Sequence, residues 1–246
     1  MATNKQKHLF SFFYSEKFPH IERQFILKDK LLCQRILTIT RLKTGNQCIL
    51  FSKTEHLLAT IVDYDEKKQS RIIFESGDKQ INQSLTPQIT LYIGLAKQNN
   101  WPEILYSAAR LGITTIQPII TERAQTKLPA EHRLQQIMIS ACEQAKQFML
   151  PIVKQPIRLE QISSIDSEEF RWYADPEGSP LIQVPFLNQK IKHCSVAIGP
   201  EAGFTQQDSN ILEQKGFLPY QLTPTILRTI DATPLALGII RIFCKQ

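Results

Sequence analysis

The stretch from Val196 to Arg228, with the threonine that follows it, constrains this chain more than any other. It reads V-A-I-G-P-E-A-G-F-T-Q-Q-D, passes through a polar segment, and resumes as Y-Q-L-T-P-T-I-L-R-T. The apolar run Val196 to Ile198 predicts a buried parallel strand. Gly199-Pro200 stops it, because glycine takes backbone angles closed to other residues and proline has no N–H to continue a ladder. Thr205 is placed to cap a helix, with Asp208 three residues on as its capping-box partner, and Gly216 is placed to end that helix. A second strand over Tyr220 to Leu222 leads into a second loop, Thr223 to Thr229. Two such loops at the carboxyl ends of neighbouring strands form the cleft in which open α/β sheets bind ligands. By spacing alone, the same pattern suits any strand–glycine–helix turn.

Upstream, strand and helix signals alternate. Ile89 to Ala96 reads as a strand. Asn100 is placed to cap a helix from Trp101 to Leu111 that Gly112 closes. Thr114 to Ile120 is a β-branched strand. The apolar residues Leu134, Ile137, Met138, Ala141, Cys142, Ala145, Phe148 and Met149 follow helical spacing as far as Pro151. Arg171 to Ala174 is a further strand, and Pro234 is placed to open a last apolar helix that runs to Phe243. Strands alternating with helices predict a mostly parallel sheet.

The first third is different. Phe10 to Tyr14, Gln47 to Phe51, Leu58 to Val62 and Arg71 to Phe74 read as short strands with turn signals between them. Lys43 to Asn46 reads as a hairpin-like turn and Lys28 to Ile36 as a short helix. A small β-barrel is the architecture such a pattern suggests. Gly77 to Pro87 is polar and turn-rich and reads as a linker.

Charge follows the same division. Of a formal charge of +6, residues 1–80 carry fourteen Lys and Arg against nine Asp and Glu, an excess of five. A basic module beside a nearly neutral one suits docking on nucleic acid, although a solubilising surface bias gives the same numbers. The chain is 42% hydrophobic, enough for a packed core. No apolar run reaches the roughly 20 residues of a membrane helix, and Met1 to Lys7 is not followed by the apolar stretch of a signal peptide. Cys33, Cys48, Cys142, Cys194 and Cys244 are odd in number, widely spaced and without a C-x-x-C pair. That pattern suggests reduced thiols in a cytoplasmic protein and gives a metal site no support. The usual signatures of dinucleotide, nucleotide, zinc-protease and serine-hydrolase sites are absent.

The literal words narrow the reading. I-G-P-E-A-G, then I-L-R-T, resembles the RsmE family, bacterial 16S ribosomal RNA uridine-N3 methyltransferases of the SPOUT fold. Other words fall in the same order. Pro118-x-x-Thr121-Glu122-Arg123 resembles P-x-x-S-E-R, Ala141-Cys142-Glu143-Gln144 resembles A-x-E-Q, Lys97 matches the basic residue after the first strand, and Arg35-Ile36-Leu37 resembles part of R-V-L-R. The resemblance spans nearly the whole chain. It implies an α/β knot, a deep trefoil knot in a mostly parallel sheet, over residues 79–246, preceded by a PUA-like β-barrel over residues 1–78.

It also implies S-adenosylmethionine as cofactor, held by Ile198, Gly199, Pro200, Glu201, Gly203, Leu222, Ile226 and Leu227. RNA contacts would come from Arg35, Arg41, Lys43, Lys97 and Arg123, with 16S rRNA or the small ribosomal subunit as partner. A homodimer paired through the knot and last helix would follow, with no metal and no membrane. Methylating uridine N3 requires an unpaired base whose N3 gives up its proton, and that loss puts negative charge on the flanking oxygens until the methyl is transferred. Arg228 is the candidate cation to stabilise that charge, with an ion pair to Glu201 as its structural alternative.

The chain also departs from the family pattern. Leu32 and Thr38 replace a His and an Arg. Ser107 and Arg110 stand in K-x-x-E, Gln147 replaces an Arg, and Ala202 replaces a Gly. Thr223, Thr225 and Ile230 replace a Gly, an Arg and a Glu. Two further readings therefore stay open: a SPOUT methyltransferase with another RNA target, and a non-catalytic RNA-binding descendant.

Overall fold

The computed structural model describes residues 9–18, 23–124, 127–164, 169–181 and 191–243. The Met1 to Lys7 segment and Cys244 lie outside these. The chain forms two compact units, Met1–Gln83 with Cys142–Met149, and Ser84–Ala141 with Leu150–Gln246.

The first unit is a curled, five-stranded half-barrel. It contains β1 (Ser11–Phe13), β2 (Gln24–Leu27), α1 (Lys30–Gln34), β3 (Gln47–Phe51), β4 (Glu55–Tyr64) and β5 (Ile72–Ile81), in sheet order β1-β3-β4-β5-β2. β1 runs parallel to β3, and the other pairs are antiparallel. The two edge strands meet through rings: Phe18 stacks on Tyr14 and packs edge-on to Phe25, with centroids 5.0 and 6.2 Å apart. Asp29 caps α1 by accepting from the Leu32 N–H at 3.0 Å, and the helix continues into a π-turn over Arg35–Ile39.

The expected strand Leu58 to Val62 extends to ten residues, and the expected linker is wrong at its start, because β5 continues to Ile81. Gly77, a turn signal in the sequence, sits inside β5. A Cβ there would come within 3.1 Å of the Leu58 carbonyl, and the β4–β5 register shifts between Leu57 and Ala59. In a strand, glycine marks such a close approach as readily as it marks a turn.

Cys142–Met149 completes this unit. The Glu143 carboxylate accepts from the Phe13 N–H at 2.9 Å and pairs with Arg35 at 2.5 Å, while its carbonyl accepts from the Ser11 hydroxyl. The Phe148 ring lies 5.2 Å from Phe51 and 4.3 Å from His56.

The second unit is a seven-stranded, all-parallel sheet. Its strands are β6 (Gln88–Gly94), β7 (Thr115–Ile120), β8 (Ile152–Val153), β9 (Ile157–Arg158), β10 (Glu169–Pro180), β11 (His193–Ile198) and β12 (Leu218–Gln221). The order is β12-β10-β11-β6-β7-β8, with β9 also on β7. Its helices are α2 (Trp101–Arg110), α3 (Glu131–Ala145, whose last turn is counted with the first unit), α4 (Gln206–Gln214) and α5 (Thr229–Phe243). α2 buries Trp101, Ile104, Leu105, Ala108 and Ala109, one stripe at helical spacing. α5 packs against α2 and β11 and buries Ala232, Thr233, Ala236, Leu237 and Ile240. The Arg241 guanidinium donates to the carbonyls of Pro87, Leu111 and Gly112 at 2.6 to 2.7 Å, which fixes the end of α5 to the end of α2.

Several helix ends differ from expectation. α3 stops at Ala145, six residues before Pro151, because Lys146 takes a left-handed φ of 56°. α5 begins at Thr229, with Pro234 inside it rather than at its first turn. Asn100 does not cap α2; its amide instead hydrogen-bonds Glu201. The Thr205–Asp208 capping box forms as expected, and Gly216 follows α4 with φ 83°.

Candidate active site

All eight residues expected to hold a cofactor line one cleft of about 360 Å³ at the carboxyl edge of the parallel sheet. Ile198 ends β11. Gly199 to Gly203 forms one rim, where a turn closes by the Gly203 N–H to Pro200 carbonyl bond at 2.8 Å. Gly203 has φ 70°, so a side chain there would be strained, whereas Ala202, which departs from the family glycine, is not left-handed. Gly199 is favoured by space rather than by angle: a Cβ would lie 3.2 Å from the Gly203 and Phe204 backbone, tighter than an ordinary contact. Leu222, Ile226 and Leu227 form the second rim, where the Thr223 hydroxyl donates to the Thr225 carbonyl at 2.7 Å.

The strands carrying the two rims are not neighbours, contrary to the expectation. β10 lies between β11 and β12 and brings Ala174, Asp175 and Pro176 into the cleft. A two-strand motif in sequence does not reveal a third strand inserted between its members.

Cross-ties hold the first rim. The Glu201 carboxylate accepts from the Lys97 N–H at 2.9 Å and from the Asn100 amide. Arg123 donates to the Ala202 carbonyl at 3.2 Å. The Asp208 carboxylate accepts from the Thr205 N–H at 2.9 Å and the Glu122 N–H at 3.3 Å, so the capping-box partner in α4 also holds the loop after β7. Buried Thr229 donates from its hydroxyl to the Gly199 carbonyl at 3.0 Å and so joins the two rims. Sequence reading gives Thr229 no role, although it closes the I-L-R-T word. Behind the cleft, burial and then Glu213, which accepts from its hydroxyl, push the Tyr173 pKa up to about 12.

Arg228 lies between two lining residues but does not itself line the cleft. Its guanidinium pairs with Asp231 at 2.7 Å, and its side chain is 74% exposed. The alternative pairing with Glu201 does not form. Lys97 and Arg123 stand exposed on the loops that brace the first rim. In the first unit, Arg41 and Lys43 are exposed, whereas Arg35 is engaged by Glu143 and lies 5.7 Å over the Phe12 ring. Thr38, in place of the family Arg, bonds Gln69 at 2.7 Å in a loop that also carries the exposed Lys67, Lys68 and Arg71. Among the described residues, no cluster of His, Cys, Asp and Glu could hold a metal, and no helix is long and apolar enough to cross a membrane. Cys33, Cys48 and Cys142 are free and buried, and Cys194 is buried.

The RNA methyltransferase domain model matches residues 83–241. The ribosomal RNA small subunit methyltransferase E of Aquifex aeolicus is 30% identical over 171 residues, which cover 67% of this chain and 73% of that protein. The chain belongs to the RsmE family of RNA methyltransferases. The Synechocystis RsmE protein is 32% identical over 164 residues, and the match spans about half of it, 52%. Among solved structures, the RsmE protein of Neisseria gonorrhoeae, bound to S-adenosyl methionine, superposes with a TM-score of 0.81 over 96% of this chain and 98% of its own, at 24% identity. The fold shared with that structure is a parallel α/β sheet preceded in sequence by the half-barrel.

Proposed function

We propose that this RsmE-family chain transfers a methyl group from S-adenosylmethionine to N3 of a uridine in the 16S rRNA of the small ribosomal subunit. The observation that carries the reading is the cleft itself, in which the two family words form opposite rims tied by Thr229. The cleft suits the cofactor. Its volume falls within the roughly 300–1,000 Å³ of small-molecule sites, with apolar walls and loop backbone to face an adenine. Ile198, Leu222, Ile226 and Leu227 would supply the walls, and Gly199 to Gly203 the backbone. When bound, the cofactor supplies an electrophilic methyl on a sulfonium.

The residues around the cleft then have definite tasks. Uridine N3 is on the pairing edge, so the base must be unpaired to reach the rim. Arg228 would exchange Asp231 for the uridine oxygens as charge develops there. An exposed ion pair is screened by solvent and contributes little, so the exchange costs little. Lys97 and Arg123 would hold phosphates beside the cleft, and Arg41 and Lys43 would do so from the half-barrel. The chain would work in the cytoplasm, where ribosomal subunits are assembled. It would pair with a second copy through α5, whose Leu235, Ile242 and Phe243 are exposed although α5 already buries a full stripe. A monomer in light scattering at micromolar concentration would rule the pairing out.

Mapping of methylated nucleotides in 16S rRNA from a strain lacking the gene tests the function. Loss of one N3-methyluridine, restored by the wild-type gene, is expected. Loss at a different RNA position would support the second reading, and an unchanged pattern would leave a binding protein.

A further inference from the structure

We infer that Asp175 is the anion that recognises the cofactor's sulfonium charge and separates S-adenosylmethionine from its uncharged thioether product, S-adenosylhomocysteine. The inference rests on the proposed function, since it takes the cleft as the cofactor site. Among the described residues, two carboxylates line that cleft, Asp175 and Glu201. Glu201 is turned to the Lys97 N–H and the Asn100 amide, neither of which lines the cleft. Asp175 is half-buried. One of its oxygens accepts from the Glu177 N–H at 2.9 Å, and the other has no hydrogen-bond partner among the described residues.

The segment that carries Asp175 is held rigidly. The β10–β12 register breaks between Ala174 and Ser179, which leaves residues 175–178 as a bulge. Gly178 lies so close to β12 that a Cβ would come within 2.7 Å of the Pro219 carbonyl carbon and the Tyr220 nitrogen. The Gln221 amide donates to the Pro176 carbonyl at 2.7 Å. A bulge next to a site re-aims a side chain, and here it fixes a carboxylate on the wall between the two rims. A preorganised anion favours a ligand with one more positive charge, and it does so more strongly in a half-buried cleft than in bulk water.

The experiment is isothermal titration calorimetry of wild type and Asp175→Asn with S-adenosylmethionine and with S-adenosylhomocysteine. Asparagine keeps the oxygen that accepts from Glu177, so the bulge is retained. S-adenosylmethionine affinity is expected to fall about tenfold, from Coulomb energies between the water and near-surface limits, with S-adenosylhomocysteine changed less than about twofold. An equal fall for both ligands would overturn the inference, since it would place Asp175 on a group the two share. No change for either would overturn it as well. Failure of the wild type to bind S-adenosylmethionine would instead reject the proposed function on which the inference rests.

Discussion

The two units meet their functional demands by different physical means. In the second unit, the shape of the cleft depends on close backbone approaches. A Cβ at Gly199 would crowd the opposite turn, Gly203 needs a left-handed angle, and the rims are joined by a side-chain bond to a carbonyl. In the first unit, the candidate RNA surface consists of exposed cations, Arg41 and Lys43 among them, on an antiparallel half-barrel. A backbone site tolerates few substitutions, because close approach leaves no slack. A phosphate-binding surface acts mainly through charge and carries no base-sequence information of its own.

The contrast is sharpest at Arg228, a side-chain device placed beside a backbone site. Arg228→Ala is expected to lower methyl transfer by about two to three orders of magnitude, as for loss of one charge-stabilising donor in the transition state. RNA and cofactor binding should stay near wild type. Single-turnover kinetics beside equilibrium binding would show this, and normal turnover would make Arg228 structural.

Gly199→Val tests the backbone site itself. Its side chain would strike the Gly203–Phe204 turn, an overpacking of about 1–3 kcal/mol. S-adenosylmethionine affinity should therefore fall about ten- to a hundredfold, with RNA affinity of the half-barrel unchanged. Tight cofactor binding by a folded Gly199→Val protein would place the site elsewhere.

The smallest effects divide the first unit's own cations. Arg35→Ala removes the partner of nearly buried Glu143. Breaking a fully buried pair costs about 3–5 kcal/mol, but Arg35 is 44% exposed, so about 1–2 kcal/mol of stability is the discounted expectation in urea unfolding. Neutralising Arg41 and Lys43 together should leave stability unchanged and lower the salt slope of RNA binding by about 0.7 for each phosphate no longer neutralised. Normal RNA binding by that double variant would reduce the basic bias to surface composition.

Much of the second unit is legible in sequence because its signals are local and agree with one another. The apolar run before Gly199, the Thr205–Asp208 capping box and the terminating Gly216 each act within a few residues. The misreadings fall where one residue type serves two physical ends. Gly77 reads as a turn and is a close approach within a strand. Pro234 reads as a first-turn residue and is accommodated inside α5. Asn100 reads as a cap and serves Glu201. At the site, the rims are visible as words, but Asp175 is not, because it enters only through the insertion of β10 between β11 and β12. The short edge strand β2 escapes sequence reading because only Phe25 and Leu27 in it are buried, too few to show a period.

The hydrogen bond from Thr229 to the Gly199 carbonyl has a consequence for time rather than affinity. It turns the chain from one rim to the other into a loop fastened at both ends, so neither rim can swing outward while the other stays in place. Ligand entry and product departure should then share a single relaxation, with one rate seen from a probe on either rim. Replacing Thr229 with Val would uncouple the rims and split that relaxation into two.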